Sequence, residues 1–329
     1  MHVAQPHPLA IQAEMTRWRS RPQLSPEFYK GHGLGNDYLV FEEGEGWLAT
    51  PENVRRVCDR HRGVGADGIV AHLADGREVA EWGGLVSTDG NPGRELRLRM
   101  FNPDGGEFER SGNGLRIFGS YLARRVDGLR SFGVGVAGES VRITLHGRSG
   151  PTHDVSVDMG RARTGPAAVA LDRSALDGAG RLPGPGGEAL DIVLVSVGNP
   201  HVVVLAAESS REFSEERVAE LGPFVTAHPA LRHGANMQLA RPAGPRACQA
   251  LIWERGVGRT SASGTSACAV AVALVSSGTI QPGEVLVQMP GGDLTVQVTQ
   301  ELDVVLRGPV EEVCDGRLSV RFFGSLSGC

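Results

Sequence analysis

Ser111-Gly112-Asn113-Gly114-Leu115 and Ser263-Gly264-Thr265-Ser266-Ala267 decide the fold between them. Each is a serine that opens a glycine-bearing turn and runs into an apolar helical pattern. Small residues let the first backbone N–H groups of a helix point at a ligand, and the helix dipole favours an anion there. One such turn reads as an ordinary N-cap. Two of them, each behind an acid–arginine pair (Glu109-Arg110 and Glu254-Arg255), imply two half-sites that face one small anionic ligand.

The segments around these turns repeat in order. Tyr29 to Glu42 reads as strand, glycine turn and strand, and Pro51 to Arg62 as a helix. Gly68 to His72 is a strand, and Glu95 to Asn102 alternates as a half-buried strand does. Leu115 to Val126 has a helical period, and Val141 to Leu145 and Asp154 to Met159 are further strands. Gly160 to Gly187, rich in Ala, Gly, Pro and Arg, reads as connection. The series then restarts with the strand Asp191 to Val197, a turn at Gly198-Asn199-Pro200-His201 and the strand Val202 to Leu205. Phe213 to Leu221 is helical and Ala247 to Trp253 a strand, while Ala267 to Ser277 is apolar nearly all round, the mark of a buried helix. Val285 to Met289, Leu294 to Val298 and Val304 to Leu306 finish as strands. The repeated order implies an internal duplication, each half wrapping strands round one central helix, with both helix starts at the interface.

Bulk properties exclude several classes. A chain of 329 residues with 40% hydrophobic residues can bury two cores of ordinary size. A net charge of −5 argues against nucleic acid as a partner. No apolar run is long enough to span a membrane. Residues 1–26 lack the apolar core of a secretory signal and read as a disordered extension. Five cysteines without metal-ligand spacing fit neither a disulfide framework nor a metal centre, and imply a reducing cytoplasm. Cys268, inside the apolar helix pattern, reads as a small buried hydrophobe. The glycine turns lack the lysine and spacing of a phosphate loop. Lys30 is the only obvious lysine, which disfavours a pyridoxal enzyme, so no cofactor is expected.

Several local signatures, in order, carry a family resemblance: His32-Gly33-Leu34-Gly35-Asn36-Asp37, Arg62-Gly63-Val64-Gly65-Ala66-Asp67-Gly68, Phe101-Asn102-Pro103-Asp104-Gly105, Gly112-Asn113-Gly114, Gly198-Asn199-Pro200-His201, Glu254-Arg255-Gly256-Val257-Gly258 and Pro290-Gly291-Gly292-Asp293. From Tyr29 to Phe322 the chain resembles diaminopimelate epimerase, a cofactor-independent amino-acid epimerase. The resemblance implies an α/β (α+β) fold of two similar domains, each a curled mixed or antiparallel sheet wrapped round a central helix. The domains would be residues 27–159 with 309–325, and residues 160–308. The last strand, Arg317 to Phe322 after a break at Gly308-Pro309, would return to the first domain.

The resemblance also implies a site. Asn36, Asn102, Asn199 and Asn236 match side chains that hold the amino-acid substrate, Asn236 most loosely. Glu254 and Arg255 match an acid–arginine pair. Gly112, Asn113, Gly264 and Thr265 match backbone donors that grip the α-carboxylate. The chemistry agrees, since Asn offers donors and an acceptor without a charge to titrate, and Arg meets a carboxylate bidentately. Turn geometry alone also explains Asn in Gly-Asn and Asn-Pro turns. His32 and His201 read as supporting residues, and Asp37, Asp67 and Asp104 as turn caps. The implied partners are a small amino-acid-like substrate and a second copy of the chain in a homodimer, with no nucleic acid, membrane or metal.

One departure outweighs the matches. The family's two bases are cysteines that begin the two glycine turns, and here both positions are serine, Ser111 and Ser263. A thiol has a pKa of about 8.5, and a helix start lowers it. A serine hydroxyl is a far weaker acid that needs a neighbouring base, and no Lys or His adjoins either serine in sequence. Ser266 stands where the family usually has glycine, and Arg259 where an acid is usual, adding positive charge near the site. Ordinary two-base epimerisation is therefore not expected. Three functions stay open: an isomerase of altered chemistry at the α-carbon of an amino acid or related carboxylate, including one-base tautomerisation, double-bond isomerisation or dehydration; a non-catalytic amino-acid binder; and an epimerase inactivated by Cys→Ser exchange.

Overall fold

Strand pairing follows one scheme twice. The computed structural model describes residues 21–73, 96–108, 110–206 and 213–327. Its first half holds β1 (Gln23–Gly33), β2 (Asn36–Glu43), β3 (Trp47–Leu48), α1 (Pro51–Cys58), β4 (Gly68–Leu73), β5 (Leu96–Phe101), β6 (Glu107–Phe108), α2 (Gly112–Ala123), β7 (Ser131–Val136), β8 (Glu139–Ser149) and β9 (Thr152–Arg161). The second holds β10 (Arg163–Thr164), β11 (Leu182–Pro183), β12 (Ala189–Leu190), β13 (Ile192–Ser196), β14 (Pro200–Leu205), α3 (Glu215–Thr226), β15 (Asn236–Pro242), β16 (Ala247–Glu254), β17 (Gly258–Thr260), α4 (Gly264–Ser276), β18 (Gly283–Met289) and β19 (Gly292–Val298). The long β20 (Asp303–Arg317) and α5 (Val320–Ser327) follow.

In the first half β1–β2 is antiparallel, β2–β4 parallel, β4–β5 antiparallel, β5–β7 parallel, and β7–β8–β9 antiparallel. In the second, β13–β14, β14–β15, β15–β16, β16–β18 and β18–β19–β20 repeat that sequence of senses. A parallel step needs a crossover, and the four helices α1 to α4 lie in the four crossovers. β20 pairs with β9 and β1, which closes the first ring of strands. It also pairs with β19, and β9 runs on through Ala162 into β10, which pairs with β13, so the second ring closes through the same two strands. The Ala162 N–H donates to the Leu302 carbonyl at 2.8 Å at this junction.

Each ring surrounds one helix. From Ala267 to Val275 no residue of α4 is more than 8% exposed. Its valines are weak helix formers, but its alanines and burial on every side offset them. The small side chains let the strands close in. In α2, a Cβ on Gly119 would lie 2.9 Å from Ile143 Cγ2 and 3.0 Å from Val155 Cγ1.

Several sequence expectations need correction. β1 starts at Gln23, inside the stretch read as a disordered extension, because Leu24 and Phe28 supply an apolar alternation that packs on Phe41 and Trp47; residues 1–20 lie outside the described residues, as do Glu95 and Glu109. There is no break at Gly308-Pro309, and Arg317 to Phe322 is not a strand. β20 runs through both residues to Arg317, and Val320–Ser327 is helical. Pro309 stays in the strand, where its carbonyl accepts from Arg116 at 3.2 Å. α1 ends at Cys58 rather than Arg62, since the Asp59 carboxylate accepts the His61 and Arg62 N–H groups and turns the chain. α3 continues through Pro223 to Thr226. The strands β7 and β15 were not foreseen.

Gly308 is required by packing. A Cβ there would lie 2.3 Å from Leu294 Cδ2 and 2.6 Å from Arg116 Nη1. Gly308→Ala is expected to lower stability by roughly 2 kcal/mol, an overpacking cost, read as a lower urea midpoint at unchanged slope.

Candidate functional site

Both serines cap helices, but not alike. Ser111 precedes α2 with extended backbone (φ −123°, ψ 123°), and its Oγ accepts the Gly114 N–H at 3.1 Å. Its carbonyl accepts the Leu115 N–H at 2.9 Å. Ser263 precedes α4 with φ −153° and ψ 129° and makes no side-chain cap. Its carbonyl accepts the Ala267 N–H at 3.0 Å. The N–H groups of Gly112 and Asn113 in α2, and of Gly264, Thr265 and Ser266 in α4, have no partner among the described residues, as the first turn of a helix requires.

The two helix starts meet over β20. Leu306 Cδ2 would lie 2.6 Å from a Cβ on Gly112 and 2.9 Å from one on Gly264. The Gly264 position is also 3.5 Å from Asn113 Oδ1 and 3.8 Å from Asn113 N. A side chain at either glycine would force Leu306 to move. The result is a cluster of unpaired N–H donors at two positive helix ends, suited to an anionic group.

The side chains flanking this cluster differ in character. The Ser263 side chain lies near the Glu254 carboxyl. Burial pushes that carboxyl above its ordinary range, the Ser263 contact opposes the shift, and the Asp67 charge adds to it. Ser111 is in reach of the Tyr38 hydroxyl, whose pKa burial raises far above the ordinary phenol value. A carboxyl group with a raised pKa thus sits near Ser263, and a neutral phenol near Ser111.

Asn36 and Asn113 come together: Asn113 Nδ2 donates to Asn36 Oδ1 at 2.8 Å, and Asn36 Nδ2 donates to Asp67 Oδ2 at 3.0 Å. Asn199 Oδ1 lies 2.9 Å from His201 Nε2. Asn236 Oδ1 accepts the Arg255 N–H at 2.9 Å, and the exposed Arg255 guanidinium donates to the His233 carbonyl. Asn102 closes its turn by backbone, its N–H donating to Gly106 at 2.8 Å, and its amide has no protein partner among the described residues. Thr265 is half-buried in the first turn of α4.

Three expectations change here. Arg259 does not add charge to the site, because its fork closes on Glu215 in the first turn of α3, with Nη2 2.6 Å from Oε1. Asp104 caps its turn through the Gly106 N–H at 2.7 Å, but Asp37 and Asp67 do more. Lys30 lies 2.9 Å from Asp37, and Arg60 2.7 Å from both carboxylates. Burial would raise the Asp37 carboxyl, but the Arg60 and Lys30 contacts win and hold it at about 2. Tyr38 and Arg116 were not foreseen as parts of the site. Arg116, a charge inside an otherwise apolar helix pattern, carried the signal that could have found it.

His201 is wholly buried, and burial lowers its pKa to about 4, with Gln238 opposing and Arg255 adding to the shift. It is neutral in the fold and charges in the unfolded chain below about pH 6.5. Between pH 6.5 and pH 4 the unfolded state binds more protons, so acidification costs stability, by roughly 3 kcal/mol in full. The urea midpoint is expected to fall over this window in the native chain and much less in His201→Asn.

Among the described residues no helix is long and apolar enough to cross a membrane, and no group of three His, Cys, Asp or Glu is placed to hold a metal. The fold is that of known epimerases. A hydroxyproline epimerase from Agrobacterium vitis, solved with trans-4-hydroxy-L-proline bound, matches with a TM-score of 0.59 at 14% identity over 94% of this chain and 99% of its own. The diaminopimelate epimerase family model matches residues 28–165 and 193–313. A diaminopimelate epimerase of Desulforudis audaxviator is 36% identical over 302 residues, 88% of this chain and 98% of that protein. Diaminopimelate epimerase 2 of a Nostoc species is 32% identical over 310 residues, 90% of this chain and 97% of that protein. The chain belongs to the diaminopimelate epimerase family.

Proposed function

We propose that this protein is a cofactor-independent isomerase acting at the α-carbon of an amino acid or related small carboxylate, with proton transfer served from one face. The supporting observation is the asymmetry of the two serines: an acid with a raised pKa near Ser263, which makes no cap, and a neutral tyrosine near Ser111, whose Oγ caps α2. In this reading the N–H groups of Gly112, Asn113, Gly264 and Thr265 hold the α-carboxylate. Asn36, Asn102, Asn199, Asn236 and Arg255 hold the rest of a zwitterionic ligand. Ser263 takes the α-proton while its own proton passes to the Glu254 carboxylate, so one C–H bond breaks and one O–H bond forms at Glu254. The charge left on the substrate spreads into the carboxylate, where the helix-start donors stabilise it. Ser111, with its Oγ holding the α2 cap, forms the wall of the opposite face. A one-base site moves protons along one face, as tautomerisation or a double-bond shift requires.

The test is incubation in D₂O with a panel of amino acids that includes meso- and LL-diaminopimelate, with α-proton loss followed by NMR. Exchange with retention is the expected result. Inversion at enzyme-like rates would overturn the reading of the serines. Tight binding without exchange would assign the protein as a binder.

A further inference from the structure

Arg116 is completely buried in α2, and among the described residues its guanidinium forms no ion pair. Room for it is made by two glycines: a Cβ on Gly33 would lie 2.9 Å from Nη2, and one on Gly308 2.6 Å from Nη1. Nη1 donates to the Pro309 carbonyl at 3.2 Å, and Nη2 donates to Asn113 Oδ1. A guanidinium only donates, so the Asn113 amide must turn its oxygen to Arg116. Its nitrogen then donates to Asn36 Oδ1 at 2.8 Å, and the Asn36 nitrogen donates to Asp67 Oδ2 at 3.0 Å. Asp67 also accepts the Asp37 N–H at 3.1 Å and pairs with Arg60 at 2.7 Å, which keeps it an acceptor. The chain of bonds has a donor-only group at one end and an acceptor-only group at the other. Neither amide between them can flip without breaking both of its bonds, and each is left with one N–H to spare.

We propose that Arg116 and Asp67 are positioning residues that lock the amides of Asn113 and Asn36 in this orientation, so that this corner of the site offers N–H donors and takes a carboxylate rather than an ammonium group. The carboxylate assignment rests on the function proposed above; the lock itself does not.

The test uses the full-length protein with isotopically labelled asparagine, and follows hydrogen exchange of the side-chain amides by NMR. Asn36→Ser and Asn113→Ser identify the two signals. Either end alone still forces the sense of the chain, so Asp67→Asn is expected to leave the Asn113 amide, and Arg116→Gln the Asn36 amide, at its native exchange rate; only the two substitutions together let the chain reverse. In that double variant both amides are expected to exchange about tenfold faster than in the native protein, the worth of one hydrogen bond, and Arg116→Lys, still donor-only, to preserve both signals. A far amide that accelerates already in a single variant, or amides that keep the native rate in a folded double variant, would overturn the lock. Should the double variant fail to fold, the rate of the Asn113 amide in Asp67→Asn decides. With meso-diaminopimelate as the probe, Asp67→Asn combined with Arg116→Gln is expected to raise KM for α-proton exchange about tenfold with kcat changed less than about threefold. An unchanged KM beside accelerated amide exchange would overturn the carboxylate subsite. If the native protein exchanges no α-proton, the proposed function falls, while the amide exchange still decides the lock.

Discussion

Ser111→Cys combined with Ser263→Cys is expected to raise epimerisation of diaminopimelate by at least about 100-fold over the native chain, since thiolates at helix starts are the stronger acid–base pair. Oxygen and sulfur are near-isosteric, and the donors at Gly112, Asn113, Gly264 and Thr265 are backbone groups that neither exchange removes. The two helix starts meet across Leu306, and in the proposed site they address one α-carbon from two sides. Thiols at both caps would therefore supply a base on one face and an acid on the other. The measurement is the ratio of LL- to meso-diaminopimelate with time. A double variant that melts like the native protein and yet inverts neither centre would show that the serines are not what limits two-base chemistry here.

Glu254→Gln is expected to lower α-proton exchange by about 100-fold to 10,000-fold, the worth of a positioned general base, with KM little changed. The amide keeps the size and polarity of Glu254 but cannot take the proton. Stability separates this from a packing defect. Burial raises the folded Glu254 pKa, so the group favours folding only below the ordinary carboxylate range. That contribution is lost as pH rises through its folded value. Above that value the buried carboxylate is thus a cost, and there Glu254→Gln is expected to unfold at equal or higher urea concentration than the native chain. A large loss of both activity and stability would assign Glu254 a structural role. Exchange in the native chain should also fall with acid at a pH above the ordinary Glu value, as the carboxylate becomes protonated.

The glycine turns were the legible part of this chain. Ser111-Gly112 and Ser263-Gly264 announced two helix starts because turn chemistry and the dipole are local properties, and the apolar run from Ala267 announced a helix buried on all sides. What the sequence did not reveal was set by contacts far along the chain. Gly308-Pro309 looks like a break, yet β20 passes through it because Arg116, nearly two hundred residues earlier, needs both the space of a glycine and the carbonyl of a proline. Arg259, on β17, looked like a charge in the site until Glu215, at the start of α3, proved to hold it. The nearness of Glu254 to Ser263 was invisible for the same reason, since the two are brought together by the fold rather than by adjacency in sequence. β15 was missed because Asn236 and Gln238 interrupt its apolar pattern, and both make their contacts within the fold: Asn236 Oδ1 accepts the Arg255 N–H at 2.9 Å, and Gln238 Nε2 donates to Ser266 Oγ at 3.0 Å.

The stave that closes both rings, β20, leaves the ribosome after all the others. Until it emerges, the nascent chain carries two open sheets with unpaired edges on β1, β9 and β19, the kind of surface that invites misassembly. Neither ring can be cut out and expressed by itself without losing a wall that it shares with the other.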